Sequence, residues 1–231
     1  MIASDQPTIF NKEIIAAVSS KKDGNLKFGI GNDYGVVANR QAFLKQVGID
    51  SAHTTLVGIT YATDSFAKYR VVSEDDKQEG MVHKSERFAD ALLASQSGHA
   101  LFLPLADCVG AILYDSTQKL LMVSHLGRHS VEVEGAVKSV EYMKQHGATV
   151  ETIKVWLSPA VGKATYPLHA FNGQSLHEVI VSQLLRSGVR RGNIGVSNVN
   201  TAHDENYYSH SQFLKGNEAD AGRFAIVAMM K

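Results

Sequence analysis

"ADCVGAILYDSTQKLLMVSHLG", residues 106–127, lies at the middle of the chain and holds its one cysteine. Two apolar runs, "VGAILYD" (109–115) and "KLLMVSH" (119–125), flank "DSTQ", a cluster of turn-forming residues. That pattern predicts an antiparallel hairpin. Cys108, the one cysteine of the chain, opens the first run, and His125 closes the second. If Ser116 and Thr117 make a two-residue loop, Cys108 faces His125 with Cβ atoms about 4.5–5.5 Å apart. A loop longer by two residues moves the partner to Gly127 and makes His125 a diagonal neighbour. Either way the two side chains reach one point at the open end of the hairpin. A thiolate and an imidazole there can hold zinc, or the imidazole can activate the thiol as a nucleophile. Cysteine is also an ordinary small buried hydrophobe.

Outward from the hairpin, further strands are expected at 54–62, 69–73, 100–106, 152–158, 194–199 and 223–230, several buried on both faces. Three segments read as helices. "DYGVVANRQAFLKQVG" ends at Gly48, and "GQSLHEVIVSQLLRSG" ends at Gly188. "SVEVEGAVKSVEYMKQHG" aligns Val133, Ala136, Val137, Val140 and Met143, with Ser130 as N-cap and Gly147 as stop. Strands and helices interleave irregularly around an antiparallel hairpin, which predicts an α+β fold with mixed sheets. The loop "HLGRHS" runs through Gly127 into the helix expected from Ser130. Its free N–H groups, with Arg128 and His129, suit an anion beside the Cys–His pair.

Composition narrows the function. The chain has 231 residues, read as a single domain over 1–231. Lys plus Arg and Asp plus Glu both number 23, and no basic run exceeds two residues. This argues against a nucleic-acid or membrane-surface partner. A lone cysteine fits a reducing, cytoplasmic compartment. The opening "MIASDQPTIFNKEII" has no charged n-region followed by an apolar one, so a secretory signal is not expected. No stretch approaches 18 apolar residues, so no membrane span is expected. "GIGNDYG" (29–35) misses the dinucleotide fingerprint by one residue and reads as a turn.

These residues resemble the laccase-domain family, also called the multicopper polyphenol oxidase family, which includes purine nucleoside phosphorylases and peptidoglycan-editing factors. Asp90, Ala91 and Leu92 match its D-A-L-V-T stretch, and Ala106, Asp107 and Cys108 its A-D-C-x-P-V. His125 and Gly127 match A-H-A-G-W-R-G, and Pro159 with Gly162 match G-P-x-I-G. Asn39 and Arg40 resemble an Asn-Arg pair in its early helix, and "AGRFAIVAM" its C-terminal strand. The resemblance implies a layered α/β/β/α fold. It also implies a metal, usually zinc, held by Cys108, His125 and an upstream histidine in a Q-V-H stretch. The implied chemistry is phosphorolysis of purine nucleosides such as adenosine or inosine, or hydrolysis of a cell-wall precursor.

The sequence departs from the family in three places. The Q-V-H strand reads "GITYATDS", with Ala62 or a neighbour in the ligand position, and no histidine lies between His53 and His83. Arg128-His129 replaces the loop Trp-Arg, and "YYSHSQF" replaces a Tyr-Arg-Arg stretch. His83 is therefore the candidate third metal ligand. Arg40, Arg128 and His129 are the candidate anion holders, and Asp107 orients a ligand, accepts a proton or caps a strand end. Ten histidines without a His-x-His or His-Cys-His pair argue against copper oxidation. The His-x-Glu and Pro-Cys-x-x-Cys pattern of zinc deaminases is absent too. The leading expectation is a zinc-dependent nucleoside phosphorylase-like enzyme using nucleoside and phosphate. The alternatives are a metal-free Cys108–His125 hydrolase and a non-catalytic ligand-binding relative.

Overall fold

The computed structural model describes residues 1–10, 12–218 and 220–231. Its elements in chain order are β1 (Ile14–Val18), α1 (Val36–Gln46), β2 (Thr54–Leu56), β3 (Tyr69–Val71), β4 (Ala91–Ala94) and β5 (Ala100–Leu105). The central hairpin follows as β6 (Val109–Asp115) and β7 (Leu120–Leu126), then α2 (Arg128–Glu132), α3 (Gly135–Gln145) and β8 (Ile153–Leu157). The chain closes with α4 (Leu176–Arg186), β9 (Ile194–Val196), α5 (His210–Leu214) and β10 (Phe224–Met230). One sheet has the order β1-β10-β5-β2, the other β3-β4-β7-β6-β8-β9, and both mix parallel and antiparallel pairs. The α+β expectation holds.

The period-2 rule builds the layers. On β6, Val109, Ala111 and Leu113 face α3 and α4, while Ile112 and Tyr114 face the other sheet. On β5, Leu101, Leu103 and Leu105 pack between the sheets, and Ala100 and Phe102 pack under α1 with Phe43 and Leu44. The result is α1, the four-stranded sheet, the six-stranded sheet, then α3 and α4. That is the α/β/β/α order implied by the resemblance. Gly110 lets the sheets meet: a methyl group there would lie 2.6 Å from both Ile226 Cδ1 and Leu105 Cδ1. Among the described residues no helix is long and apolar enough to cross a membrane.

Two expected elements are corrected, and the hairpin takes one of its two expected registers. The 54–62 strand is ordered as β2 only over Thr54–Leu56, and the chain then leaves the sheet. The helix expected from Ser130 is two helices, broken where Glu134 takes φ 61°. Ser130 lies inside α2 rather than capping the long helix, and its hydroxyl is buried without a partner among the described residues. Of the two loop lengths expected for the hairpin, the structure takes the longer, with four residues. Asp115 pairs with Leu120, and its carboxylate accepts from Thr117 N and Oγ1 at 2.9 and 2.7 Å. Those two bonds hold a wider turn, so Val109 pairs with Leu126 and Cys108 falls opposite Gly127. Strands β1 and β4 are not foreseen by the apolar pattern.

Candidate functional site

Strand β5 ends at Leu105, and Asp107 turns the chain back into β6 with φ 75°, a left-handed conformation that Asp tolerates better than most residues. Its carboxylate is committed to structure. Oδ1 accepts from Thr201 Oγ1 at 2.7 Å and Oδ2 from Ser211 N at 2.6 Å, which ties α5 over the site. Asp107 is thus a positioning residue. The turn delivers Cys108, half-buried, beside His125, which is 5% exposed near the end of β7. Gly127 shows how close they are: a methyl group there would lie 2.9 Å from the Cys108 sulfur and 3.4 Å from His125 Nε2.

Both groups stand at the base of a cavity of about 310 Å³. Ile59, Pro104, Leu105 and Val161 form apolar wall, and Tyr61, Phe66 and Tyr166 bring aromatic rings. The His129 ring stacks on Phe66, with centroids 4.5 Å apart and planes at 19°. Asp90 also lines the cavity while only 4% exposed. Its Oδ2 accepts from Lys68 N at 2.8 Å, and its carbonyl accepts from His125 N at 2.8 Å. Two cations complete the base. Leu26 N donates to Arg223 O at 3.0 Å, and Arg223 N to Asn25 Oδ1 at 3.0 Å, which sets Lys27 and Arg223 side by side. Among the described residues neither cation forms an ion pair with a carboxylate.

Burial governs the charges. It pushes the Cys108 thiol up to about 11, with the Asp107 carboxylate adding to the shift and Arg223 and Lys27 opposing it. Burial, with Lys27 beside it, pulls His125 down to about 3. Burial lowers Lys27 and Arg223 and raises the Asp90 carboxyl. The cavity therefore holds a neutral thiol, a neutral imidazole and two cations that gain from an incoming anion.

Several expectations for the site are corrected. Arg40 does not reach the cavity. It is 1% exposed, and its guanidinium donates to the carbonyls of Leu26, Gly80 and Met81 at 2.9, 2.7 and 2.8 Å. His83 is exposed and does not line the cavity, so it does not join Cys108 and His125. Arg128 and His129 do line it, but at the rim, where both turn to Glu132 at 3.7 and 3.8 Å. From the 58–65 segment, where the resemblance places the third ligand, Ile59 and Tyr61 line the cavity and no histidine does. Among the described residues no three His, Cys, Asp or Glu side chains gather to hold a metal. Catalytic zinc takes three protein ligands. Two donors do not fit that requirement.

Lys27, Asp90, Tyr61, Phe66, His210 and Arg223 line the site without having been singled out by sequence. Asp90 matches the D-A-L-V-T stretch and Arg223 stands inside "AGRFAIVAM", but neither match gives the residue a role. Lys27 carries no local signal.

The buried histidines give the fold a pH signature. His99 is 1% exposed, and its Nε2 lies 2.7 Å from Thr55 Oγ1, whose proton goes to Asp76 O. Nε2 is therefore the donor, and Nδ1 is buried with no partner among the described residues. His177 Nε2 donates to Ser158 O at 2.9 Å. Burial lowers the proton affinity of His99, His125 and His177 alike. As pH falls through about 6.5 the unfolded chain takes up these protons first. Stability is full above that pH and falls below it, by about 1.4 kcal/mol per pH unit for each histidine, until the folded group protonates. The melting temperature is expected to drop between pH 7.5 and pH 5, above the range where carboxylates titrate. A flat profile over that range contradicts this assignment.

A layered α/β/β/α protein with a Cys–His pair at the open end of its central hairpin is the class defined here. The family model described as multi-copper polyphenol oxidoreductase laccase matches residues 16–173, and the chain belongs to that family. A purine nucleoside phosphorylase of Mycobacterium tuberculosis is 25% identical over 160 residues. The match covers 62% of this chain, which thus spans 62% of the length of that curated relative. The crystal structure of YlmD from Geobacillus stearothermophilus shares the fold with a TM-score of 0.86 at 19% identity, covering 100% of this chain and 98% of that one. The hypothetical protein YfiH of Bacillus licheniformis does so at 0.84 and 19%, covering 94% and 93%.

Proposed function

We propose that this chain is a phosphate-dependent purine nucleoside-cleaving enzyme whose reaction takes place in the Cys108 cavity without zinc. The observation behind it is the pair Lys27 and Arg223, which form no ion pair among the described residues, beside Cys108 and His125. Two half-buried cations without a carboxylate partner favour an anion between them. The matched curated relative is named a purine nucleoside phosphorylase, which agrees with phosphate as that anion.

Each group has a chemical task. Lys27 and Arg223 hold phosphate and neutralise its charge, while Phe66, His129 and Tyr61 offer flat ring surface to the purine. A phosphate oxygen attacks the anomeric carbon as the bond from that carbon to the base nitrogen breaks. The base leaves with the electron pair and needs a proton. Asp90, whose carboxyl burial shifts toward the protonated form, supplies it. The products are free purine and ribose 1-phosphate. His125 stays neutral and accepts a hydrogen bond from a ribose hydroxyl. No step runs through a metal, because the donor set lacks a third ligand.

The thiol chemistry argues against the alternative hydrolase. A Cys108 thiol near 11 is ionised in only about one molecule in 10,000 at pH 7, and the thiolate is the nucleophile. An imidazole near 3 is too weak a base to correct this.

The test is release of purine from inosine and adenosine, with and without inorganic phosphate, before and after exhaustive chelation. Phosphate-dependent release that survives chelation is expected. Loss on chelation, restored by zinc, contradicts the metal-free assignment. Tight nucleoside binding without turnover points instead to a ligand-binding protein.

A further inference from the structure

The Cys108 cavity has a neighbour on the other side of Lys27. A second cavity, of about 220 Å³, opens beyond it, and Lys27, Ile59 and Pro104 line both. Its other walls include the rings of Phe28 and Phe88, the guanidinium of Arg40, and Lys84 with Ser85 at the mouth. Among the described residues three cations border this space and no carboxylate does.

The charges are available to a ligand to different degrees. Arg40 is held in place by three carbonyls and stacked 4.8 Å from the Phe28 ring, so it contributes a fixed positive field. Lys84 is exposed and only loosely paired, 3.9 Å from Asp33, a contact that water and salt weaken. Lys27 has no acidic partner among the described residues. Gly58 helps shape the wall. A methyl group there would lie 2.6 Å from Arg87 O and 2.8 Å from Ser85 Oγ, so its absence lets the 85–87 segment close against the 57–59 segment. Nothing proposed above for the cleavage reaction uses this space.

We infer that the second cavity is a subsite for a phosphate monoester carried by the substrate, which makes a nucleoside 5′-monophosphate a better ligand than the free nucleoside. The inference rests on the nucleoside reading of the first cavity. The base and sugar occupy the Cys108 cavity, the 5′ end passes Lys27, and the phosphate sits between Lys27 and Lys84 in the field of Arg40. A phosphate group gains charge-assisted hydrogen bonds there that a hydroxyl does not.

Calorimetric titration of the whole chain with adenosine and with adenosine 5′-monophosphate, in metal-free buffer, tests this. Binding of the monophosphate at least ten-fold tighter is expected, with an advantage that shrinks as salt rises. Lys84→Ala, an exposed position outside the Cys108 cavity, should remove most of that advantage and leave adenosine affinity unchanged. Equal affinity for the two ligands overturns the subsite and leaves the nucleoside reading standing. Equal weakening of both ligands by Lys84→Ala also overturns it. Binding of neither ligand overturns the nucleoside reading and the subsite together. Inorganic phosphate is the control: competition with the monophosphate that Lys84→Ala does not alter places its anion in the first cavity and contradicts the second.

Discussion

Arg223→Ala is expected to lower kcat/KM for phosphate-dependent nucleoside cleavage about 100- to 1,000-fold, the range for removing one preorganised charge-stabilising donor. Among the described residues Arg223 NH1 donates to the adjoining Gly222 carbonyl alone, at 2.7 Å, and the side chain lines the cavity. The bonds that fix this segment, Leu26 N to Arg223 O and Arg223 N to Asn25 Oδ1, are made by the backbone and survive the substitution. The melting temperature should therefore stay within a few degrees of the wild type. The loss should fall mainly on the response to phosphate concentration, since the purine contacts remain. An unchanged kcat/KM contradicts the placement of phosphate at this cation.

Arg40→Ala should do the reverse, damaging the fold far more than any property of the Cys108 cavity. Its guanidinium is the shared partner of three backbone carbonyls, from Leu26, Gly80 and Met81. Truncation leaves those oxygens without their donor and opens a void beneath Phe28 and Phe102. A cost of about 3–5 kcal/mol follows, and for a chain of this size that lowers the melting temperature by about 10 °C. Arg40→Lys keeps the charge, but one ammonium cannot reproduce the fork that reaches carbonyls on two segments, so it should recover less than half of the loss. Thermal denaturation of the three proteins decides it. A loss under 1 kcal/mol for Arg40→Ala contradicts the structural role.

What the sequence makes legible follows from how local each signal is. The central hairpin reads well because β6 and β7 are neighbours in the chain with a turn between them. The pair Cys108 and His125 reads well for the same reason. Helix α4 carries its own start signal, a capping box between Ser175 and Glu178. Strand β1 has no such help. It exists because Ile14 pairs with Met230 at the far end of the chain, and its five residues show no period of their own. Strand β4 is four apolar residues, too short to separate from a helical turn.

The same distance effect hides half the site. Lys27 and Arg223 meet only because β10 returns beside the 25–26 segment, and neither residue stands out where it sits in the sequence. Arg40 shows the opposite failure. An arginine on a helix matching a family motif looks like an anion holder, and only its burial and three carbonyl partners show otherwise. The departure at "GITYATDS" is visible in sequence as a missing histidine. Which side chains of that segment line the cavity, Ile59 and Tyr61, depends on the path of the chain after β2 stops at Leu56.

The most direct measurement is phosphorus NMR of inosine and inorganic phosphate incubated with chelated wild-type protein, and with Arg223→Ala beside it. The proposed function predicts a ribose 1-phosphate signal that grows at the expense of inorganic phosphate with the wild type, and grows at least 100-fold more slowly with the variant. A phosphate signal that stays unchanged while inosine is bound or consumed contradicts it.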